Sequence, residues 1–349
     1  MTKSFLVRNQ VISKENPPYI IAEISANHNG SIDTAIRSIQ AAKDSGVSAV
    51  KIQTYTPDTM TIDVDKEDFT INEGLWKGRT LYDLYGEAFT PFEWHKKLFE
   101  FAKKIDITLF SSPFDESAVD LLESLDAPAF KIASFELVDL PLISYVAKKK
   151  KPIFMSTGMA SISEIAEAVE VAKSSGCKSL ALFHCISSYP TPIDQINLNA
   201  IPFLRKEFDL EVGLSDHTLG NLASIVATTL GATVIEKHFT LSRDNGGVDS
   251  TFSIEPNEMK KLVTETKNAF ASLGNNGTMR SDLEQGNKVF RRSLYFVKDI
   301  KKGQIITEKD VRRIRPGFGL DSKYYYEVIG KKTTRNFTKG ERVTFESFY

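Results

Sequence analysis

VIEKHFT, Val234 to Thr240, opens with two aliphatic residues as a buried strand does, then places Glu236, Lys237 and His238 where a core calls for apolar side chains. An amphipathic stretch, EPNEMKKLVTETKNAFASLG (255–274), comes after it with apolar residues at helical spacing. A short strand that ends in charged groups and leads into a helix is one βα unit. Seven more precede it. YIIAEIS (19–25) leads into SIDTAIRSIQAAKDSG (31–46), and AVKIQT (49–54), after a long insert, into TPFEWHKKLFEFAKKID (90–106). ITLFSS (107–112) is paired with DESAVDLLESL (115–125), AFKIAS (129–134) with DLPLISYVAKKK (139–150), and PIFMST (152–157) with SISEIAEAVEVAKSSG (161–176). SLALFHC (179–185) with LNAIPFLRKEF (198–208) and EVGLSD (211–216) with LGNLASIVATTLG (219–231) complete the series. Eight successive units, several with Ser or Asp at the helix start and Gly at its end, predict an α/β fold, a (β/α)8 TIM barrel, in preference to an open doubly wound sheet. SANHNG after the first strand lacks the glycine spacing of a dinucleotide site, which weakens the open-sheet alternative further.

Three regions lie outside the repeat. FLVRNQVISKENPP, within residues 1–18, reads as an N-terminal hairpin ahead of the barrel at 19–274. The insert from Tyr55 to Thr90 is long for a barrel loop, and its Trp76, Tyr82, Tyr85 and Phe89 suggest an ordered segment that covers substrate. After Gly274, NNGTMRSDLEQGN (275–287) is polar and reads as a linker. Residues 288–349 then hold short β-like runs, RRSLYFVKDI, QIITEKDV and ERVTFESFY, separated by KKG and TKG turns, so a small, mostly β C-terminal domain is expected.

Composition narrows the function. With 349 residues, 41% of them hydrophobic, the chain can bury a large core, and a net charge of -1 supplies no global field to attract nucleic acid. Any anionic substrate must be held by a few placed cations. Cys177 and Cys185 are too few for a disulfide framework or a four-thiolate zinc site. No apolar run is long enough for a membrane span or a signal peptide, so a soluble cytoplasmic protein is expected.

In a barrel of this type the active site lies at the C-terminal strand ends. The polar groups there are Glu23, Lys51, Gln53, Ser112, Lys131, Ser134, Glu136, Thr157, His184, Ser187, Asp216, His217, Glu236 and His238. Residues two apart on a strand share a face, so Lys51 with Gln53, Ser215 with His217 and Glu236 with His238 should each point the same way, and Lys237 elsewhere. His217 and His238 end neighbouring strands, each beside an acid, and two imidazoles so placed suit one transition-metal cation; packing histidines are the plainer alternative. Lys51 and Lys131, among the hydroxyls of Ser112, Ser134, Ser156 and Thr157, suit a phosphate or carboxylate, although either could pair with a barrel glutamate. His184 and Cys185 are adjacent on a strand and point to opposite faces, which argues against a nucleophile–base pair. The four lysines at 148–151 read as a solvated helix end.

These strand ends resemble the sialic acid synthase family. The likeness runs through AEISANHNG, VKIQT, FSSPFDE, FKIASFE, MSTGMAS, FHCISSYPTP, GLSDHT and IEKHFT, and on into RRSLYFVKDIKKGQIITEKDVRRIRPGFGL. The insert GLWKGRTLYDLYGEAFTPFEWH is most similar to the pseudaminic acid synthase branch, and the tail resembles the antifreeze-like, or SAF, domain. The resemblance implies a metal-dependent enzyme that condenses phosphoenolpyruvate with an acylated amino-deoxy sugar, 2,4-diacetamido-2,4,6-trideoxy-L-altrose in this branch, releasing phosphate. It implies that His217 and His238 hold a divalent cation, typically Mn2+ with Mg2+ or Co2+ as substitutes, and that Lys51, Lys131, Ser134 and Ser215 hold phosphoenolpyruvate. Glu23, Gln53, Asp249 and Tyr189 would meet the sugar; Glu136 is the candidate for activating water, with Glu23 and Glu236 the other candidate catalytic acids. Ser112, Thr157 and Ser187 complete the expected substrate contacts. A domain-swapped homodimer is implied as well, with Arg315 of RIRPGFGL entering the neighbouring site. The chain departs from the family pattern at Ser187, where Asn is common, and at Phe92, where the insert often has Trp. Legionaminic or N-acetylneuraminic acid synthesis, and a noncatalytic sugar-binding role, remain the alternatives.

Overall fold

The computed structural model describes residues 4–274 and 282–349, which divide into two compact units, Met1–Gly274 and Asn275–Tyr349. In the first unit a hairpin, β1 (Phe5–Val7) with β2 (Gln10–Ile12), precedes eight parallel strands: β3 (Tyr19–Glu23), β4 (Ala49–Thr54), β5 (Thr108–Pro113), β6 (Phe130–Ile132), β7 (Ile153–Ser156), β8 (Leu180–Cys185), β9 (Glu211–Asp216) and β10 (Val234–His238). They pair in sequence order, and β10 closes onto β3 with Val234 opposite Tyr19 and His238 opposite Glu23. The barrel expected from the eight repeats is therefore the architecture observed.

Each strand is followed by its helix. In chain order the helices of this unit are α1 (Ile32–Asp44), α2 (Pro57–Met60), α3 (Leu81–Ala88), α4 (Phe92–Lys104), α5 (Glu116–Ser124), α6 (Leu140–Ala147), α7 (Ile162–Ser174), α8 (Ala200–Phe208), α9 (Leu222–Thr229) and α10 (Pro256–Ser272). The predicted start signals do the capping: Ser31, Asp115, Asp139 and Ser161 each accept a backbone N–H of the first turn. Apolar faces of α1 and α4–α10 bury against the outside of the strands in one continuous core.

A second, smaller core fills the barrel's lower interior. Phe5, Val7 and Ile12 of the hairpin pack with Tyr19, Ile21, Ala49, Phe110, Ala129, Phe154, Ala181, Phe183 and Val234, so the hairpin plugs the N-terminal end. The rings are close: Phe154 lies 6.1 Å from Phe5, 5.5 Å from Phe110 and 5.4 Å from Phe183. Gly213 belongs to this crowd, since a Cβ there would come within 2.5 Å of the Val234 carbonyl and 3.0 Å of the Phe183 ring. The packed floor forces substrate chemistry to the opposite end.

The insert between β4 and α4 carries α2, a short 3-10 turn at Glu67–Phe69, and α3. Thr56 caps α2 and Thr80 caps α3 through their hydroxyls. Among the described residues no helix is long and apolar enough to cross a membrane.

In the second unit β11 (Ser293–Phe296) pairs antiparallel with β12 (Val311–Ile314) over a core of Leu294, Phe296, Ile300, Ile306, Val311, Val328, Phe337 and Val343. The β-like run at 304–311 forms a strand only at its end, and ERVTFESFY contributes isolated bridges and a 3-10 turn at Phe345–Ser347, because this small core is closed largely by loop backbone. The expected linker also shortens. Residues 275–281 lie outside the described residues, while Asp282–Phe290 winds as 3-10 helix anchored where Gly317 N–H donates to the Val289 carbonyl. Gly317 and Gly319 are needed for that approach, since a Cβ would come within 2.8 Å of the Lys288 carbonyl and 2.3 Å of the Leu294 carbonyl, respectively.

Candidate active site

Just above the aromatic floor, the inward positions of the strands turn from apolar to charged. Lys51 pairs with Glu23 at 2.5 Å and lies 3.6 Å from Glu236, while Lys131 meets both Glu236 oxygens at 3.0 and 3.1 Å. All four side chains are almost wholly buried. Ser112 accepts from Lys51, Ser215 donates to Glu236, Gln53 donates to Glu23, and the Lys131 ammonium sits 4.4 Å from the centre of the Phe183 ring. Burial opposes every charge here, and the partners decide which charges survive. On Glu236 burial raises the pKa, but Lys131 and Lys51 outweigh it and hold the carboxyl below its usual range. On Glu23 burial wins and pushes the carboxyl up to about 7 against the pull of Lys51. Burial lowers Lys131, and the nearby Lys51 adds to the effect.

One step further toward the mouth are the two imidazoles. The rings of His217 and His238 are 5.4 Å apart. Tyr189 lies against both, 4.4 Å from His217 and 6.3 Å from His238, and Phe252 lies 5.0 Å from His238. Trp76 of the insert comes over this group, with its ring 6.1 Å from Tyr189 and its indole N–H donating to the Val248 carbonyl. His217 Nδ1 is 2.9 Å from the Ile186 carbonyl; a carbonyl only accepts, so Nδ1 carries a proton. Burial lowers the pKa of this ring, but Cys185 and the Ile186 carbonyl outweigh it and raise it. His238 Nδ1 is buried without a hydrogen-bond partner, 3.8 Å from Asp249. Burial, then His217 and the three nearby lysines, hold His238 neutral well below the usual imidazole range.

A third group lies beside the lysines. A Cβ on Gly158 would come within 2.5 Å of the Ser187 hydroxyl and 2.7 Å of the Ser134 hydroxyl, so the glycine leaves two hydroxyls facing open backbone. Glu136, on the 3-10 turn Phe135–Val138, has one carboxylate oxygen buried without a partner, and burial raises it to about 7. Burial raises the pKa of Tyr85 on α3, and the nearby Glu136 charge adds to the rise.

The structure thus brings Glu23, Lys51, Gln53, Ser112, Lys131, Ser215 and Glu236 into one polar layer, and His217, His238, Tyr189 and Asp249 into a second above it. Four expectations change. Asp216 does not accompany His217, because adjacent strand residues face opposite ways and its carboxylate is spent behind the barrel on Lys237. Thr157 donates its hydroxyl to the Phe183 carbonyl, and His184 Nε2 bonds the Ile196 carbonyl, so the Thr157 proton and that ring nitrogen are committed within the barrel wall. Tyr82 donates to Asp58 inside the insert, and it is Tyr85 that packs toward the site, 5.8 Å from Tyr55. Sequence reasoning missed the neighbours of Cys185, whose sulfur is 3.9 Å from His217 Nδ1 and 4.0 Å from the Ser187 hydroxyl. Cross-strand register makes that contact, and only the pairing of Cys185 with Ser215 across β8 and β9 could have signalled it. Arg315, in the second unit, is exposed.

Among the described residues no group of three His, Cys, Asp or Glu is disposed to hold a metal. A cation here would rest on two imidazole nitrogens and take its other ligands from water and substrate. The neutral state of His238, its unpartnered buried Nδ1 and the His217 ring 5.4 Å away, which would bind through Nε2 once that nitrogen has lost its proton, fit that role.

The first unit's match to known proteins covers all of this site but Glu23. Residues 38–278 match the NeuB family and residues 291–348 the SAF domain. The chain is 46% identical over 330 residues to the pseudaminic acid synthase of Campylobacter jejuni subsp. jejuni serotype O:23/36 (strain 81-176), covering 95% of this chain and 96% of the relative. It is 43% identical to the pseudaminic acid synthase of Helicobacter pylori, covering 91% and 94%. Among solved structures, an N-acetylneuraminic acid synthetase from Leptospira borgpetersenii serovar Hardjo-bovis, in complex with citrate, superposes with a TM-score of 0.74 at 32% identity, covering 82% of this chain and 95% of the other.

Proposed function

The chain belongs to the NeuB family, and on that premise we propose that it condenses phosphoenolpyruvate with 2,4-diacetamido-2,4,6-trideoxy-L-altrose to give pseudaminic acid, a nine-carbon 2-keto sugar acid, and phosphate. The observation that carries the reading is the stacking of two layers. Buried Lys51 and Lys131 converge on Glu236, and the His217–His238 pair lies immediately above them.

The lysines, with Ser112, Ser215 and the hydroxyls of Ser134 and Ser187 facing Gly158, offer donors to the carboxylate and phosphate of phosphoenolpyruvate. Glu23, Gln53, Tyr189 and Asp249 surround the place left for the sugar. The methylene carbon of phosphoenolpyruvate forms the new C–C bond with the sugar aldehyde, whose oxygen takes up a proton. Water then adds at C2, and Glu136, buried and unpartnered at one oxygen, accepts its proton. As the tetrahedral adduct collapses, the bond from C2 to the phosphate oxygen breaks, the C2 hydroxyl becomes the keto group and gives up its proton to the departing phosphate, which leaves beside the lysines. His217 and His238 would hold a divalent cation, Mn2+ ahead of Mg2+ or Co2+, which when bound supplies a Lewis acid beside the aldehyde.

The reading extends to a homodimer in which Arg315 contributes to sugar recognition, and to a cytoplasmic setting, where phosphoenolpyruvate is available. Arg315→Lys keeps the charge and removes the fork, so a raised KM for sugar with an unchanged KM for phosphoenolpyruvate supports that role. For the reaction itself, the protein is incubated with phosphoenolpyruvate, Mn2+ and a panel of acylated hexoses while phosphate and product mass are followed. Phosphate should appear only with sugar, and fastest with the trideoxy-diacetamido-altrose. Preference for N-acetylmannosamine would move the assignment to N-acetylneuraminic acid synthesis; no phosphate with any sugar would leave a binding protein.

A further inference from the structure

Behind the two histidines, on the outer faces of β9 and β10, lies an ion pair that the reaction does not use. Lys237 and Asp216 are cross-strand partners, their side chains have no exposed surface, and Lys237 Nζ donates to Asp216 Oδ2 at 2.9 Å. The carboxylate is saturated. Its Oδ1 accepts from the Thr218 N–H at 2.9 Å and the Thr218 hydroxyl at 2.7 Å, and its Oδ2 also accepts from Ser224 at 2.6 Å. Lys237 makes a further bond, to the Thr218 carbonyl at 2.7 Å. The network grips residues 216 and 218, on either side of His217, and ties both to residue 237, next to His238. Chain alternation does the rest: holding the outward side chains fixes where the inward ones point.

Stability alone does not explain such a pair. Removing two charges from water is costly, and well-packed apolar residues in place of a buried ion pair are often neutral or stabilising. What an ion pair with every lone pair satisfied supplies, and an apolar pair does not, is one fixed geometry.

We propose that Asp216 and Lys237 are positioning residues that set the separation and orientation of the His217 and His238 imidazoles, and so the affinity of the site for a divalent cation. The proposal rests on the reading that these two histidines hold the cation. The partners of metal-ligating groups typically contribute 10- to 100-fold in affinity, and a loss of about that size is expected here.

The test is Mn2+ binding to the full chain, followed by the electron paramagnetic resonance signal of unbound Mn2+ without substrates, alongside thermal unfolding. Lys237→Met and Asp216→Asn should each weaken Mn2+ binding by roughly 10- to 100-fold. The combined Asp216→Leu and Lys237→Met chain removes both charges together, so it should keep a melting temperature near that of the unaltered protein and still bind Mn2+ weakly. The KM for phosphoenolpyruvate, set by Lys51 and Lys131, should move little. His238→Ala separates the two ideas. If it loses Mn2+ while the Asp216 and Lys237 variants bind as the unaltered protein does, the positioning role is wrong and the two-histidine site stands. If His238→Ala binds Mn2+ undiminished, both fall. A lower melting temperature with unchanged Mn2+ affinity would make the pair a fold-stabilising contact and overturn the proposal.

Discussion

The two ends of one barrel are built from the same strands and carry opposite physics. On β3, Ile21 faces the aromatic plug and Glu23, two residues on, faces Lys51; on β10, Val234 packs below and Glu236 binds Lys131 above. One step of the strand repeat separates a dry core from a charged layer. At the bottom, side chains, most of them apolar, fill space; at the top, the buried lysines and glutamates answer one another. The bottom should therefore govern stability with little effect on chemistry, and the mouth should do the reverse.

The largest effect expected from this division is on the plug. Phe154 touches the hairpin ring of Phe5 and the rings of Phe110 and Phe183, so Phe154→Ala should cost about 3–5 kcal/mol of unfolding free energy. Denaturant unfolding measures that loss. Below the new melting temperature, the KM for phosphoenolpyruvate should stay near its original value. A large rise in KM at full occupancy of the folded state would erase the boundary between the two ends.

At the mouth, Lys131→Met keeps the length of the side chain over Phe183 and removes the charge facing Glu236. Steady-state phosphate release should show kcat/KM for phosphoenolpyruvate lower by on the order of 10²- to 10³-fold, the size of losing one preorganised donor to a developing anion. A variant that keeps kcat/KM and merely melts earlier would make this layer structural like the plug.

A smaller effect is expected at the rim. Trp76 reaches across from the insert to Tyr189 and Val248, so Trp76→Ala opens the wall beside the histidines without touching the lysines. Discrimination between the trideoxy sugar and N-acetylmannosamine should fall by roughly 10- to 100-fold, the scale of an apolar contact in a pocket, with the KM for phosphoenolpyruvate unchanged. Competition assays with both sugars read it directly, and an unchanged preference would assign sugar choice elsewhere.

How much of this was visible in the sequence differs by region for physical reasons. The barrel shows itself because eight strand–helix alternations, with Ser or Asp at the helix starts, are local patterns. Strand alternation also sorts Glu236 and His238 from Lys237, since parity is a property of consecutive residues. The same parity rule, applied to EVGLSDH, separates Asp216 from His217, and listing both as mouth residues overlooked it. Other features need distant parts of the chain. Nothing near FLV or QVI says that the hairpin stoppers the barrel, and the destination of Trp76 depends on a carbonyl at Val248, far along the chain. Tyr82 and Tyr85 look alike as aromatic residues of one insert, yet Asp58 takes the first and Tyr55 the second.

The gentlest probe of the comparison is pH, because Glu23 and Glu136, both raised to about 7, lie at the mouth and not in the plug. Glu136 is raised to about 7 by burial, from an ordinary carboxyl value well below that, with Asp139 adding to the rise. A general base works as the carboxylate, so the active fraction grows as pH rises through about 7, and kcat/KM should fall about tenfold per pH unit on the acid side. Stability carries the opposite sign: a carboxyl that holds its proton more tightly when folded favours the fold at low pH, and that contribution is lost as pH rises toward about 7. Glu23 also titrates upward, so the profile alone does not identify the base. Glu136→Gln resolves it, because an amide neither ionises nor takes the water's proton. Its residual activity should be low and nearly flat across the acid limb, while Phe154→Ala should keep the limb of the unaltered protein at temperatures where it is folded. If Glu136→Gln retains the acid limb unchanged, the titrating group is another carboxyl and Glu136 is not the base.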